Sequence, residues 1–287
     1  MIMPSFRNVK VGADPELFII DTTGRRSRVV SAIGLIKGEK GNPYRNKLWP
    51  EGYGTETDNI LAEFNIPPVE TKRDFIHHIN FMKDRIREIV KSYNPAFDIQ
   101  CAASKVVDDD QLQSEQAKEF GCDIDFNAYT EAPNEKPKGE LTNLRSAGFH
   151  IHMSYDNYNT EDSLLMIKVL DIFLGLMSVF YDRDKKRRSL YGKAGCFRLT
   201  DYGLEYRVLS SKMMSTDQLL EKVWAGTAFA VEFVNNEYRP DIMPDEQEVV
   251  KAINSGSIDK AKAIFEALGA QSGIVRRYYD AYVKTEE

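Results

Sequence analysis

Apolar and polar residues alternate in four short segments, each of which sets chemically active side chains two positions apart. They are Gly12-Ala13-Asp14-Pro15-Glu16, Glu63-Phe64-Asn65, His150-Ile151-His152-Met153-Ser154 and Glu205-Tyr206-Arg207. Successive side chains of a β-strand point to opposite faces. The alternation therefore predicts four strands on which Asp14 and Glu16, Glu63 and Asn65, His150 and His152, and Glu205 and Arg207 each share a face. Phe18, Phe64, Phe149, Ile151, Tyr206 and Val208 lie close by and supply the apolar side. The polar face of an ordinary sheet meets water through Thr, Ser, Lys and mixed charges. A face that concentrates carboxylates and imidazoles is what a cation site needs.

Around these segments the pattern predicts a first strand over 9–21 with a hairpin partner over 25–33. A strand over 60–66 is expected to stop at Pro67-Pro68. Phe75, Ile79, Met82, Ile86 and Ile89 recur at helical spacing and predict a helix over 71–91. A strand over 97–103 and a helical turn over 115–120 follow, then strands over 147–155 and 204–210. Thr160 is expected to cap a helix running to about 181, with Glu161 and Asp162 where the helix dipole favours acids. That helix is apolar almost all round but carries Lys168 and Asp171, so it reads as a buried central helix and not as a membrane span. From Thr216 onward the pattern is helical, with breaks near Pro240, Pro244 and Ser255-Gly256. Residues 37–58 and 127–144 read as long loops. This order predicts an α+β fold with a largely antiparallel sheet. We read 1–287 as one domain, with 9–210 carrying the motifs and 211–287 a helical C-terminal part.

Composition narrows the classes. The chain has 287 residues, 42% hydrophobic and 29% charged, enough for a sizeable core without disorder. A formal net charge of -6 argues against a general nucleic-acid binder. The cysteines are Cys101, Cys122 and Cys196, an odd count without a CxxC pair. Neither a disulfide framework nor a thiolate zinc site is expected, and reduced thiols in a cytoplasm are the default. The first ten residues lack the apolar centre of a signal peptide.

The candidate chemistry follows from donor type. Asp14, Glu16, Glu63 and Glu205 are hard oxygen donors, and only His150 and His152 add nitrogen on a shared strand face. Such a set suits Mg²⁺ or Mn²⁺ better than Zn²⁺. Magnesium is commonly shared with phosphates, so a nucleotide is the expected partner. Arg183, Lys185, Lys186, Arg187, Arg188, Lys193 and Arg198 form a basic stretch in an acidic chain. For 183–188, a solvated helix end and a phosphate role both stand open. Arg207 shares its strand face with Glu205, where a guanidinium can clamp phosphate or carboxylate. His77 and His78 read as ordinary residues of an amphipathic helix. There is no P-loop and no GxGxxG.

Together the segments GADPE, AEFNIPP, GFHIHMS, GCFR and EYR, in this order, resemble the phage-type carboxylate–amine ligases. These are the COOH–NH2 ligases of type 2, amidoligase-like members of the glutamine synthetase and glutamate–cysteine ligase superfamily. The resemblance implies a glutamine synthetase-like fold with a polar concave active-site face and helices on the other side. It implies metal ligation by Asp14, Glu16, Glu63, His150 and Glu205, with Asp14 standing where the family carries a glutamate. It turns His152 and Ser154 toward a nucleotide and sets Arg198 and Arg207 on phosphate, so that Arg198, Arg207 and Glu63 carry catalysis. A further arginine would be Arg187 or Arg188. The implied reaction uses ATP and Mg²⁺ (or Mn²⁺) to convert a carboxylate to an acyl phosphate, which an amine then attacks. The substrates would be small-molecule or peptide carboxylates and amines, without nucleic acid or membrane, and 37–58 and 127–144 are candidate lids. Two competing readings are a metal-dependent hydrolase, which leaves Arg198 and Arg207 without a role, and an inactive virion-associated relative, against which the intact acids argue.

Overall fold

In the computed structural model of the chain, residues 5–118, 125–134 and 143–284 are described. Cys122, the end of the expected turn over 115–120 and much of the loop over 127–144 lie outside them. In chain order the strands are β1 (Lys10–Asp21), β2 (Arg28–Val30), β3 (Gly54–Asp58), β4 (Leu61–Val69), β5 (Phe97–Gln100), β6 (Ser104–Val106), β7 (Phe126–Asn127), β8 (Ala132–Pro133), β9 (Leu144–Ser146), β10 (Phe149–Ser154), β11 (Cys196–Thr200) and β12 (Gly203–Tyr206). The helices are α1 (Lys72–Tyr93), α2 (Glu115–Lys118), α3 (Thr160–Leu170), α4 (Leu176–Tyr181), α5 (Lys185–Leu190), α6 (Asp217–Asn236), α7 (Glu246–Ser255), α8 (Ile258–Gly269) and α9 (Gly273–Tyr278).

The main sheet runs β3-β4-β1-β10-β12-β11-β7-β8, with β2 and β5 joined to the far end of β1. Every ladder in it is antiparallel, so the α+β expectation holds. One face is apolar: Phe64, Phe149, Ile151 and Tyr206 are wholly buried against the helices. The ring of Phe75 on α1 stacks on Phe149. Behind β11 and β12 lies α3, joined to α4 through a π-helical turn at Asp171–Gly175. Thr160–Tyr181 is apolar enough to cross a bilayer, yet 78% of its most apolar window is buried inside the protein, as expected of a central helix. The C-terminal helices share the same core: Phe233 of α6, Phe265 of α8 and Tyr278 of α9 belong to the cluster that holds Phe149 and Ile151.

Four local readings are corrected. The expected loop over 37–58 ends in β3, five consecutive buried residues paired with β4. Its Gly- and Pro-rich approach concealed a strand that owes its order to burial. The expected stop at Pro67-Pro68 does not occur, because β4 continues to Val69 and still pairs with Val11 of β1. The prolines are tolerated there because β3 pairs only as far as Asn65, leaving the other edge of β4 without a donor to lose. Asn159, not Thr160, caps α3; its side chain accepts from the Asp162 N–H at 2.9 Å. Residues 196–200, not expected to be a strand, form β11 between β12 and β7.

Candidate active site

The polar face is assembled by strand register. Asp14 of β1 lies opposite His150 of β10, and Glu16 lies opposite Glu63 of β4. Glu63 in turn faces Glu56 of β3. On the other flank His152 lies opposite Glu205 of β12, and Glu205 opposite Arg198 of β11. The residues of all four expected strand motifs therefore meet on one face.

Two groups of ligand atoms emerge among the described residues. Asp14, His152 and Glu205 offer atoms lying within 4.8 Å of one another, and so do Glu16, Asp58 and Glu63. In the first group His152 Nε2 is 3.0 Å from Asp14 Oδ1. Both atoms are buried, in contact with each other and, for Asp14, with His150, a donor set that a shared cation fits. His152 Nδ1 lies 2.6 Å from the Tyr202 hydroxyl, which fixes the ring. His150 Nδ1 stands beside the same group, 3.3 Å from Asp14 Oδ1 and 3.5 Å from Glu205 Oε1. It also lies 3.3 Å from Arg207 Nη1, which donates a short hydrogen bond to Glu205. Of the two histidines it is thus His152 that groups directly with Asp14 and Glu205, while His150 bridges carboxylates and guanidinium. In the second group Glu16 Oε2 accepts from the Gly148 N–H at 2.5 Å. Lys40 Nζ is 3.3 Å from Asp58 Oδ1, and the Gly41 N–H donates to Glu56 Oε2 at 3.1 Å.

The two groups differ electrostatically. Burial alone would raise Asp14, but the imidazoles of His152 and His150 outweigh it and hold the carboxyl well below the usual range. Burial likewise opposes charge on His152, and Asp14 reverses that and raises its pKa. In the second group burial raises Glu16, offset in part by His150 and reinforced by Asp58. Glu63 is pushed furthest, by burial and then by the charges of Asp14, Glu16, Asp58 and Glu56. Burial raises Glu56 as well. Carboxylates this crowded keep protons unless a cation joins them. Five oxygen-bearing side chains and one imidazole fit hard divalent ions of the Mg²⁺ or Mn²⁺ type.

A pocket of about 320 Å³ opens over the acids, lined by Asp14, Lys40, Gly41, Glu56, Asp58, Glu63, His150, Arg198 and Arg207. Arg198 reaches to 3.9 Å from Glu205, and Arg207 Nε to 3.9 Å from Asp125. A second pocket of about 390 Å³ adjoins it along the same face, lined by Lys10, Gly12, Ala13, Asn65, Ile66, Pro68, His152, Ser154 and Tyr202. Arg187 and Arg188 line neither. Arg187 donates to the Val208 and Leu209 carbonyls at 3.0 and 2.9 Å, and Arg188 to Ser178 Oγ at 3.0 Å. Both are buried structural clamps, which answers the open reading of 183–188 for these two residues.

Sequence reasoning missed Lys40, Glu56, Asp58, Asp125 and Tyr202. A signal existed for two of them: Glu56-Thr57-Asp58 repeats the acid-x-acid spacing of Asp14-Pro15-Glu16. The others arrive by chain folding alone.

An antiparallel sheet with helices on one face, paired acid groups and converging arginines on the other, is the architecture expected of a carboxylate–amine ligase. Residues 142–271 match the family model described as "Phage phiEco32-like COOH.NH2 ligase-type 2". The resemblance read from the motifs is thereby borne out over this stretch, which is similar to the type 2 COOH–NH2 ligases. The matched stretch holds His150, His152, Arg198, Glu205 and Arg207 and extends through α6–α8, whereas Asp14, Glu16 and Glu63 precede it. A search of curated proteins gave no match.

Proposed function

We propose that the protein joins a carboxylate to an amine at the expense of ATP, with Mg²⁺ or Mn²⁺ held by the two acid groups. The observation that carries this reading is the pairing of Asp14/His152/Glu205 and Glu16/Asp58/Glu63 on one sheet face, with Arg198 and Arg207 lining the pocket above. A hydrolase has no use for two arginines converging on the acids. Divalent ions bound there would neutralise phosphate oxygens during phosphoryl transfer.

The chain's own groups supply the rest. A carboxylate is a poor electrophile, so its oxygen takes the terminal phosphoryl group of ATP and ADP leaves. Arg198 and Arg207 offset the charge on the transferring group. The amine then attacks the acyl carbon, phosphate departs, and a proton leaves the nitrogen. Glu56, which lies outside both ligand groups and has a raised pKa, is placed to accept it. The adjoining pocket, with Pro68 and Ile66 beside Tyr202, His152 and Ser154, offers an apolar slot with polar edges for the nucleoside. Lys40 and Gly41 close the acidic pocket on the side of the 37–53 loop and limit entry of water, which would hydrolyse the acyl phosphate.

The test is calorimetric binding of a non-hydrolysable ATP analogue with Mg²⁺, followed by ADP release across carboxylate and amine pairs. Binding that needs the metal and is lost in Glu205→Ala and Glu16→Ala supports the reading. Undiminished ADP formation in both variants refutes the metal assignment.

A further inference from the structure

Asp171 is a fully buried carboxylate on the π-helical turn between α3 and α4, on the side of the sheet away from the pocket. Its Oδ1 accepts from the Tyr206 hydroxyl at 2.7 Å, and its Oδ2 from the Gly195 N–H at 2.6 Å. The Tyr129 hydroxyl is a third neighbour that lowers the pKa of the same group. These three partners come from three different segments, and each segment delivers a side chain to the opposite face. Tyr206, the last residue of β12, separates Glu205 from Arg207. Gly195 leads directly into β11, which carries Arg198. Tyr129 sits in the β7–β8 hairpin, whose lead-in residue Asp125 faces Arg207.

The backbone is shaped around this junction. Gly195 adopts φ +75°, a conformation suited to glycine. A Cβ at Gly175 would come within 3.0 Å of both Asp171 Oδ1 and the Tyr206 hydroxyl. The π-turn is itself a departure from regular helix that recurs at functional sites. An acid is a costly way to fill a core position, and one carboxyl with two donors and the Tyr129 hydroxyl around it does something an apolar side chain could not. It ties β12, β11 and the β7–β8 hairpin to one point.

We propose that Asp171 is a positioning residue that sets Glu205, Arg207 and Arg198 from behind the sheet. It touches neither substrate nor metal. The proposal rests on the ligase reading for the role of those three residues, but the junction can be tested without that reading.

The experiment compares wild type, Asp171→Asn, Tyr206→Phe, the double variant and Leu268→Ala, a core truncation in α8 remote from the junction. Two quantities are read: Mn²⁺ affinity by electron paramagnetic resonance titration, and hydrogen exchange along the chain. We expect Asp171→Asn to weaken Mn²⁺ about tenfold, as loss of an outer support of a metal ligand does. Faster exchange should concentrate in 194–207, and the double variant should add little to Asp171→Asn. Leu268→Ala should lower the melting temperature with Mn²⁺ affinity unchanged. Exchange that rises uniformly in Asp171→Asn, or Leu268→Ala weakening Mn²⁺ equally, overturns the proposal and leaves Asp171 a stability element only. If wild type binds no Mn²⁺, the metal assignment fails separately, and localised or uniform exchange still decides the role of Asp171.

Discussion

Replacing Glu63 with Gln should stabilise the metal-free protein while removing its capacity to bind metal. Glu63 is buried, and its ligand atom lies within 4.8 Å of those of Glu16 and Asp58. Two full charges at that separation, at an effective dielectric constant of about 20, repel by roughly 3–4 kcal/mol. The folded protein avoids this by keeping a proton, which is why burial and its neighbours raise the Glu63 pKa well above the usual glutamate range. The sign follows directly. The folded state binds that proton more tightly than the unfolded chain, so stability is lost as pH rises from about 4.5 through the folded pKa, at roughly 1.4 kcal/mol per pH unit. Glutamine carries no charge to suppress. Measured by thermal unfolding in EDTA, Glu63→Gln should match wild type near pH 5 and exceed it at pH 8 by up to about 3 kcal/mol, roughly 6 °C or more. Excess Mg²⁺ should reverse the order, because binding at about 1,000 times Kd adds about 4.1 kcal/mol to wild type alone. A wild type whose EDTA stability is flat between pH 5 and 8, or a Gln variant that melts lower at pH 8, would refute the crowding argument.

Gly148→Ala should weaken Mn²⁺ about tenfold in a titration, since a Cβ at 148 runs into the His150 ring, within 3.1 and 3.2 Å of its Cδ2 and Cε1; unchanged affinity counts against His150 as part of the site. Arg187→Ala should cost about 3 kcal/mol or more in urea unfolding, because it strands the Val208 and Leu209 carbonyls. Arg198→Ala should leave stability within about 1 kcal/mol and abolish ADP release. Asp171 is pushed up to about 7 by burial, against which Tyr206, Tyr129 and the Gly195 N–H pull. Like Glu63 it is a raised acid, so its contribution to stability should fall by up to about 4 kcal/mol as pH rises from about 4 to about 7. The difference between wild-type and Asp171→Asn urea midpoints over that range isolates it.

What the sequence disclosed and what it withheld divide along a physical line. Strand period alone brought Asp14, Glu16, Glu63, His150, His152, Glu205 and Arg207 to one face, because register depends only on alternation and antiparallel pairing. The α1 helix was equally plain, since Phe75, Ile79, Met82 and Ile86 all lie in the core. Glu56 and Asp58 were hidden by a Gly- and Pro-rich approach that argues for loop, while the strand they occupy is held by burial against β4. Arg187 and Arg188 misdirected for the opposite reason: a local run of cations reads as solvated or phosphate-facing, and only tertiary packing shows two of them buried on carbonyls. The role of Asp171 needed both the π-turn and the positions of three distant partners, none of which leaves a periodic trace.

The register of β1 also dictates an order of events during synthesis. One edge of its first half is met by β4, some fifty residues later, whereas the other waits for β10, whose pairing residues begin at Phe149. If β1 and β4 pair before β10 is made, Glu16 and Glu63 stand side by side on a sheet with a bare hydrogen-bonding edge. Such an edge is a template for pairing with another chain. Completion of the polar face and concealment of this aggregation-prone rim are then one event, the docking of the His-x-His strand, and a chain halted before it would expose a sticky half-sheet.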